Sequence, residues 1–236
     1  LIQDARRHGV EVRPADVTVS DWECTLEAVA AQSDTEASPQ PPSHSPSHSP
    51  SQPLFQPATQ PAVRLGLRMV RGLGQDAAVR IIAARSQHAF KNSADLAARA
   101  QVDAGTLRVL AAAGALVTLA GHRRQALWQA AGARPLSGLL ASAPAGDVAV
   151  TLAAPAASED LLADYARLGF TLGRHPLSFV RDALARLRFI TATDIANAPD
   201  RMLARGAHIV TCRQRPSTAT GTLFIPLEDQ PGLTNV

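Results

Sequence analysis

Two glycines one residue apart, Gly72 and Gly74, constrain this sequence more than any other feature. They stand in the stretch Arg64–Arg85, which reads RLGLRMVRGLGQDAAVRIIAAR. Because glycine lacks a Cβ, it allows a sharp turn between two helices and a close approach of the main chain to a ligand. Ala78 and Ile81 then follow with helical spacing. The stretch therefore predicts a short helix or turn, a tight glycine bend and an amphipathic helix.

The helix after this bend has the physical features of a phosphate-binding site. Its first amides have no partner inside the helix, and the helix dipole adds partial positive charge there. Flanking arginines can add charge-assisted hydrogen bonds. The spacing is that of a helix-hairpin-helix, which grips a nucleic-acid backbone without reading its sequence. The alternative is an ordinary helical hairpin with a glycine turn and solvated arginines. We assign backbone binding to Arg68, Arg71, Gly72, Leu73, Gly74 and Arg80.

Charge is concentrated around the predicted hairpin. Residues 1–61 contain three arginines and eight acidic residues, a net charge of −5. Residues 62–134 contain eleven basic and three acidic residues, a net charge of +8, and residues 135–236 are neutral. A protein that binds a phosphate backbone needs such a positive surface. Of the basic residues only Lys91 is a lysine, a bias that we attribute to genome composition.

A second, degenerate hairpin is predicted downstream. Asp103 should cap a helix over 104–113, Gly114 marks another bend, and a further helix over 122–131 should bury Leu127 and Trp128. We assign DNA contacts to its bend and to the start of that helix; capping the helix is an equally good role for His122. The DNA-binding candidates here are Gly114, His122, Arg123 and Arg124.

The remaining sequence divides into segments of different composition. A helix over 1–8, closed by Gly9, precedes strand candidates at 10–14 and 22–27, and the strand candidate 62–67 is predicted to pair with 22–27. Residues 32–61 are rich in Pro, Ser, Gln and His, which predicts a disordered loop, and their histidines are expected to be solvated rather than metal ligands. The segments are 1–31, 32–61, 62–134, an Ala/Pro/Gly-rich linker at 135–157, a helical segment at 158–206, and 207–236.

The last two segments carry fewer candidate site residues. Asp160 and Asp164 lie one turn apart on a predicted helix and are expected to be solvated, and His175 is expected to be a turn residue before a proline. Two strands, at 207–212 and 222–227, are joined by a polar loop. Two roles are equally good for Arg213, Gln214 and Arg215. They contact nucleic acid or a partner, or they only form a polar loop.

Composition excludes several other classes of protein. Two cysteines far apart, without a Cys-x-x-Cys pair, argue against structural zinc and predict a reduced, cytoplasmic setting. No signal peptide or membrane-spanning apolar run is evident, so no membrane partner is expected. The sequence begins within a predicted helix and without Met, which suggests a piece of a longer protein.

The order of motifs resembles a known family. It runs WECTLE, RLGLRMVRGLG, AAAGAL, GHRRQALW, DYARLGFTLGRHPL and RQRPSTATGTLFIPLED. Together these motifs resemble the C-terminal region of the C-family bacterial replicative DNA polymerase, the polymerase III alpha subunit. The RQRP loop and GHRRQALW indicate its error-prone, damage-inducible branch. The resemblance covers nearly the whole chain except the Pro/Ser/His-rich loop.

This resemblance implies a mainly α fold. The expected parts are the end of a finger-like domain at 1–31, a tandem helix-hairpin-helix at 62–134 that touches duplex or primer–template DNA, and an incomplete OB-fold at 207–236. It also implies translesion synthesis with Mg²⁺ held by palm aspartates that are not in this sequence. The segment itself is therefore expected to bind DNA, to need no cofactor and not to polymerise. Further expected partners are mutagenesis accessory proteins and, through Gln52–Phe55, which faintly resembles clamp-binding peptides, a sliding clamp.

Two other functions fit parts of the sequence. A stand-alone helix-hairpin-helix adaptor would need only the two bends. A helix-hairpin-helix glycosylase would need a catalytic Asp, often a Lys, and a pocket for a flipped base. Lys91 is the only lysine, and no suitable aromatic pocket is evident, so the glycosylase is the least supported of the three.

Overall fold

The computed structural model describes residues 2–28, 61–133, 150–215, 223–230 and 232–235. The fold in these residues is mainly helical, as predicted, with two small sheets. The helices are α1 (Ile2–Arg7), α2 (Gln75–Gln87), α3 (Ser93–Ala100), α4 (Ala104–Ala112), α5 (Val117–Ala120), α6 (Arg123–Gly132), α7 (Ala157–Arg167), α8 (Arg181–Arg186) and α9 (Ala192–Ala196). The strands are β1 (Val12–Arg13), β2 (Thr25–Glu27), β3 (Ala62–Arg64), β4 (Ile209–Val210), β5 (Pro226–Glu228) and β6 (Leu233–Asn235). Most of the predicted loop 32–61, the clamp-like peptide, and residues 134–149 of the predicted linker lie outside the described ranges.

The first sheet leads directly into the glycine bend. Strand β3 lies between β1, to which it is parallel, and β2, to which it is antiparallel, with Leu26 opposite Val63. The predicted pairing of 62–67 with 22–27 is confirmed. Glu27 accepts hydrogen bonds from Arg64 at 2.8 Å and Arg13 at 2.7 Å. These guanidinium groups, Arg64 first, lower the pKa of the Glu27 carboxyl to about 2.

The core forms between the first sheet and helices α2 to α6. Ala78 and Ile81, which the helical spacing placed on one face of α2, are both fully buried. Leu107, Leu110 and Ala111 of α4 are buried on one face of the helix. Other large side chains of this core are Leu65, Leu67, Leu96 and Leu116.

Side-chain caps set the start of three of these helices. Asn92 accepts from the Asp95 amide, and Asp103 accepts from the Thr106 amide, which lowers the pKa of Asp103. His122 caps α6. One prediction about α6 is wrong: Leu127 and Trp128 are 36% and 55% exposed, whereas Ala126 and Ala130 are buried. Small alanines let α6 pack closely on α4, and this turns the large side chains outward.

The C-terminal part is a set of short elements. The predicted helical segment 158–206 contains a 3₁₀ turn at Pro176–Phe179 followed by α8, and Val180 between them leaves the helical conformation. Ala156 occupies the N-cap position of α7, and the Glu159 side chain accepts from the Ala156 amide at 2.7 Å. His175 caps the 3₁₀ turn through its Nδ1, as expected of a structural turn residue, and burial lowers its pKa.

The second sheet is an antiparallel meander in the order β4-β5-β6. The third strand, β6, follows the two strands that the sequence predicted in this segment. An OB-fold barrel has five strands, and the described residues of this segment supply three, so the OB-fold stays a prediction. Within the described ranges, no helix is long and apolar enough to cross a membrane.

Candidate nucleic-acid interface

The first bend has the predicted geometry. Gly72 has a φ of +91°, a left-handed conformation that side chains with a Cβ rarely adopt. Leu73 turns inward and is 8% exposed, so it anchors the bend in the core. Gly74 is extended, with a φ of −76°, and a Cβ added there would meet nothing within 4 Å. Folding therefore requires glycine at position 72 but leaves position 74 sterically free.

The N-terminus of α2 is the open end of this hairpin. Among the described helices of eight or more residues, α3, α4 and α6 have side-chain caps and α7 has a Glu159 hydrogen bond at its start. Helix α2 has no such side chain. Within the described ranges, the amides of Gly74, Gln75 and Asp76 find no acceptor. Three unpaired donors at the positive end of a helix form a site for an anion.

Three exposed arginines lie before and after this bend in the chain. Arg71 is exposed, and its guanidinium lies against Gly169, while its amide donates to the Arg167 carbonyl at 2.9 Å. Arg80 donates to the Ala100 carbonyl at 3.0 Å and so also closes the C-terminus of α3. Arg68 forms an ion pair with Glu23 in which both side chains are more than half exposed. Such a surface pair contributes about 0–1 kcal/mol and can exchange for a phosphate.

Arg108 is a further candidate that the sequence analysis missed. It lies exposed on α4, next to Val109, whose side chain would be 3.6 Å from a Cβ at Gly72. It has no carboxylate partner in the described part of the chain. The sequence gave no signal for Arg108, because this residue follows the bend by more than thirty residues. Only the packing of α4 on the bend brings it near.

The second bend keeps the backbone geometry of a hairpin. Gly114 has a φ of +79°, and a Cβ there would lie 3.1 Å from Nη2 of Arg123. The Nδ1 of His122 accepts from the Gln125 amide at 3.1 Å, and its Nε2 lies 3.0 Å from the Leu152 carbonyl. Of the two roles left open for His122, the structure shows helix capping.

The two arginines at this bend are occupied by α7. Arg123 donates to Asp160 Oδ1 at 2.6 Å and also to the carboxylate of Asp164, and its side chain is only 11% exposed. Arg124 donates to Glu159 at 2.7 Å. The expectation that Asp160 and Asp164 are merely solvated is therefore wrong. The predicted DNA contacts of Arg123 and Arg124 are, in this structure, contacts with acidic side chains more than thirty residues away.

The segment before α7 also lies on α6. Gln125 donates to the Val150 carbonyl at 2.8 Å and accepts from the Leu152 amide at 3.0 Å. Arg124 donates to the Ala153 carbonyl at 3.0 Å. The described end of the predicted linker is thus hydrogen-bonded to the second hairpin.

The C-terminal candidates stay exposed. Gln214 exchanges two backbone hydrogen bonds with Phe224, at 3.0 and 2.9 Å. Arg213 and Arg215 flank it with exposed side chains. This isolated bridge lies outside the strands of the second sheet, between β4 and β5 along the chain. The described residues contain no cluster of three or more His, Cys, Asp or Glu side chains that could hold a metal ion.

The paired glycine bends, the packed helices between them and the open helix end define a tandem helix-hairpin-helix protein. Residues 9–126, half of the chain, match the helix-hairpin-helix motif family, and the chain belongs to that family.

The chain is also similar, over its whole length, to curated error-prone DNA polymerases. It is 53% identical to that of Aromatoleum aromaticum, 50% to that of Azoarcus sp. and 46% to that of Burkholderia pseudomallei. The chain spans about 20% of the length of each of these relatives. The resemblance to error-prone DNA polymerases that the motifs indicated is thus confirmed.

Proposed function

We propose that this chain is the part of an error-prone DNA polymerase that holds the backbone of duplex DNA. The observation that carries the proposal is the open N-terminus of α2, where the amides of Gly74, Gln75 and Asp76 are unpaired within the described ranges. Arg71 in the bend and Arg108 on α4, whose Val109 packs against the bend, are exposed and have no carboxylate partner among the described residues. Amides and arginines that face outward fit phosphate oxygens.

The binding should not depend on base sequence. Amide donors and guanidinium groups at a glycine bend contact phosphates, and phosphate contacts position a protein without reading bases. Each neutralised phosphate contributes about −0.9 to the slope of log affinity against log salt concentration. With Arg71, Arg80 and Arg108 in contact, we expect a slope of about −3 and weak, salt-sensitive affinity.

The catalytic role belongs to the longer polymerase. We propose that the chain is its C-terminal region and steadies primer–template DNA for a catalytic domain in which palm aspartates hold Mg²⁺, during damage-induced translesion synthesis. The segment alone then has no polymerase activity and needs no metal to bind DNA. A cytoplasmic setting, a sliding clamp and mutagenesis accessory proteins are proposed in the same way, from the resemblance.

A matched pair of substitutions tests the binding site. In Gly74→Val the new side chain lies in open space in the free protein but obstructs a phosphate at the α2 amides. Gly132→Val adds the same group at the end of α6, where a Cβ also meets nothing within 4 Å. Binding to a fluorescent 25-base-pair duplex of random sequence is measured by anisotropy between 50 and 200 mM NaCl.

We expect Gly74→Val to weaken binding at least about tenfold, since several charge-assisted hydrogen bonds are lost together, and Gly132→Val to leave it unchanged. Circular dichroism checks that both variants keep the helical fold. Equal affinity of the two variants would show that the first hairpin is only a structural turn.

A further inference from the structure

The second hairpin is covered by an acidic segment of the same chain. We call residues 150–164, the extended stretch 150–156 and the first eight residues of α7, the acidic strap. Carbonyls of Val150, Leu152 and Ala153 bind the side chains of Gln125, His122 and Arg124. The α7 part then places the carboxylates of Glu159, Asp160 and Asp164 on the two arginines at the start of α6.

The strap makes polar contacts but has little packing of its own. Helix α7 contains no buried residue, and none of the residues from Val150 to Ala156 is buried. The Arg124 and Glu159 side chains are 39% and 55% exposed despite their ion pair. A segment with few buried apolar contacts and solvent-accessible ion pairs belongs to the least stable part of a fold.

The surface beneath the strap carries the chemistry of a phosphate site. A positive-φ glycine at position 114 lies beside the Arg123 guanidinium, and Arg124 follows on the first turn of α6. The carboxylates that now bind these guanidinium groups present the same paired anionic oxygens as a phosphate. Neighbouring phosphates of a polyanion present oxygens to which both arginines can donate together.

We propose that the second hairpin is a latent DNA-backbone site, and that the acidic strap covers it in the unbound protein. The inference rests on the proposed function, because DNA must first be held at the open first hairpin. Duplex held there raises the local phosphate concentration at the second hairpin, and competition then releases Arg124 and part of the Arg123 contacts. The strap therefore sets how many phosphates the chain binds.

The test removes charge from the strap without removing its hydrogen bonds. Glu159→Gln with Asp160→Asn keeps the acceptor for the Ala156 amide and retains Asp164, which pairs with Arg123. The control, Asp182→Asn with Asp200→Asn, makes the same change in net charge at exposed carboxylates that do not pair with α6. Thermal melting confirms that both double variants fold.

Duplex affinity and its salt slope are then measured for both variants. We expect the strap variant to bind at least about fivefold more tightly than the control at 100 mM NaCl, with a slope steeper by about one to two. Adding Arg124→Gln to the strap variant should abolish most of the gain. In the unmodified chain, hydrogen exchange at residues 150–164 should become faster at saturating duplex.

Each contrary result has its own meaning. Equal affinities of the strap and control variants would overturn the inference, as would a gain that survives Arg124→Gln or slower exchange in the strap on binding. The proposed function would stand in all three cases if Gly74→Val still weakens binding. Absence of duplex binding by the unmodified chain would instead remove the proposed function itself.

Discussion

The two hairpins share a backbone design and differ in what faces them. The first has a positive-φ glycine, an uncapped helix and exposed arginines, and the described chain leaves its helix end open. The second has a positive-φ glycine and two arginines at a helix start, but His122 caps the helix and α7 binds both arginines. A motif therefore defines a possible phosphate site, and its neighbours decide whether the site is available.

Net charge alone hides this difference. The hairpin segment has a charge of +8, yet Arg64, Arg68 and Arg85 pair with carboxylates of the acidic residues 1–31. Arg123 and Arg124 pair with α7. The arginines without carboxylate partners in the described ranges include Arg71, Arg80 and Arg108, which lie around the first hairpin. The usable positive charge is thus smaller and more localised than the composition indicates.

The largest expected difference concerns stability. Arg123→Ala leaves Asp164, whose side chain is 15% exposed, without its cation, and removing one partner of a largely buried pair costs about 3 kcal/mol. Arg71→Ala at the first hairpin should cost less than about 0.5 kcal/mol, as expected of an exposed side chain. Urea unfolding of the two variants measures both values. Similar midpoints would mean that the α7 contacts do not hold the second hairpin.

A second comparison tests the bends themselves. Gly72→Ala and Gly114→Ala force a Cβ into the left-handed region, and each should destabilise the fold by about 1–2 kcal/mol. Gly74→Ala, in an extended conformation with open space around it, should change stability by no more than about 0.5 kcal/mol. Thermal melts of the three variants would measure these differences in stability. A large loss of stability in Gly74→Ala would show that this glycine has a structural role in the free protein.

DNA affinity should separate the exposed arginines from the covered ones. Arg71→Ala and Arg108→Ala should each weaken duplex binding about three- to fivefold at 100 mM NaCl, because each removes one phosphate contact. Arg124→Ala should change the affinity of the unmodified chain much less, because a phosphate contact of Arg124 forms only at the expense of its ion pair with Glu159. Anisotropy titrations with one duplex suffice. If Arg124→Ala weakened duplex binding as much as Arg71→Ala, both hairpins would contact DNA and the strap would not compete with it.

A smaller effect is expected from the single acid at the open end. Asp76 lies in the first turn of α2, next to the unpaired amides, and repels a phosphate there. Asp76→Asn should tighten duplex binding about twofold, which corresponds to one partly screened charge. Asp95→Asn on α3 removes the same charge away from the bend and serves as its control. Equal changes in both would indicate a general charge effect rather than a local one.

The last difference, between the unmodified chain and Glu27→Gln, is full near neutral pH and disappears in acid. The folded pKa of Glu27, about 2, lies below its unfolded value, so its stabilising contribution is full above pH 5 and is lost as the pH falls towards 2. This carboxylate holds β3, which leads into the first hairpin. Urea midpoints between pH 5 and 2 should fall more steeply for the unmodified chain than for Glu27→Gln. Parallel curves would show that other carboxylates dominate acid unfolding.

Local patterns in the sequence determined much of the fold. The glycine spacing predicted the first bend, Asp103 predicted a helix start, and the strand candidates 62–67 and 22–27 were predicted to pair. These features depend on residues within a few positions of one another, or on the period of a single element. Such short-range rules are readable because backbone sterics and capping act locally.

The state of the second hairpin was decided only by the tertiary structure. Nothing local to Arg123 indicates that Asp160 and Asp164 will reach it, and nothing near Gly72 indicates that α4 will bring Arg108 close. Trp128 faces outward because alanines on the opposite face of α6 pack more tightly against α4. An ion pair can join any two residues that the fold brings within reach, so the sequence specified both hairpins, whereas packing decided which of them is open.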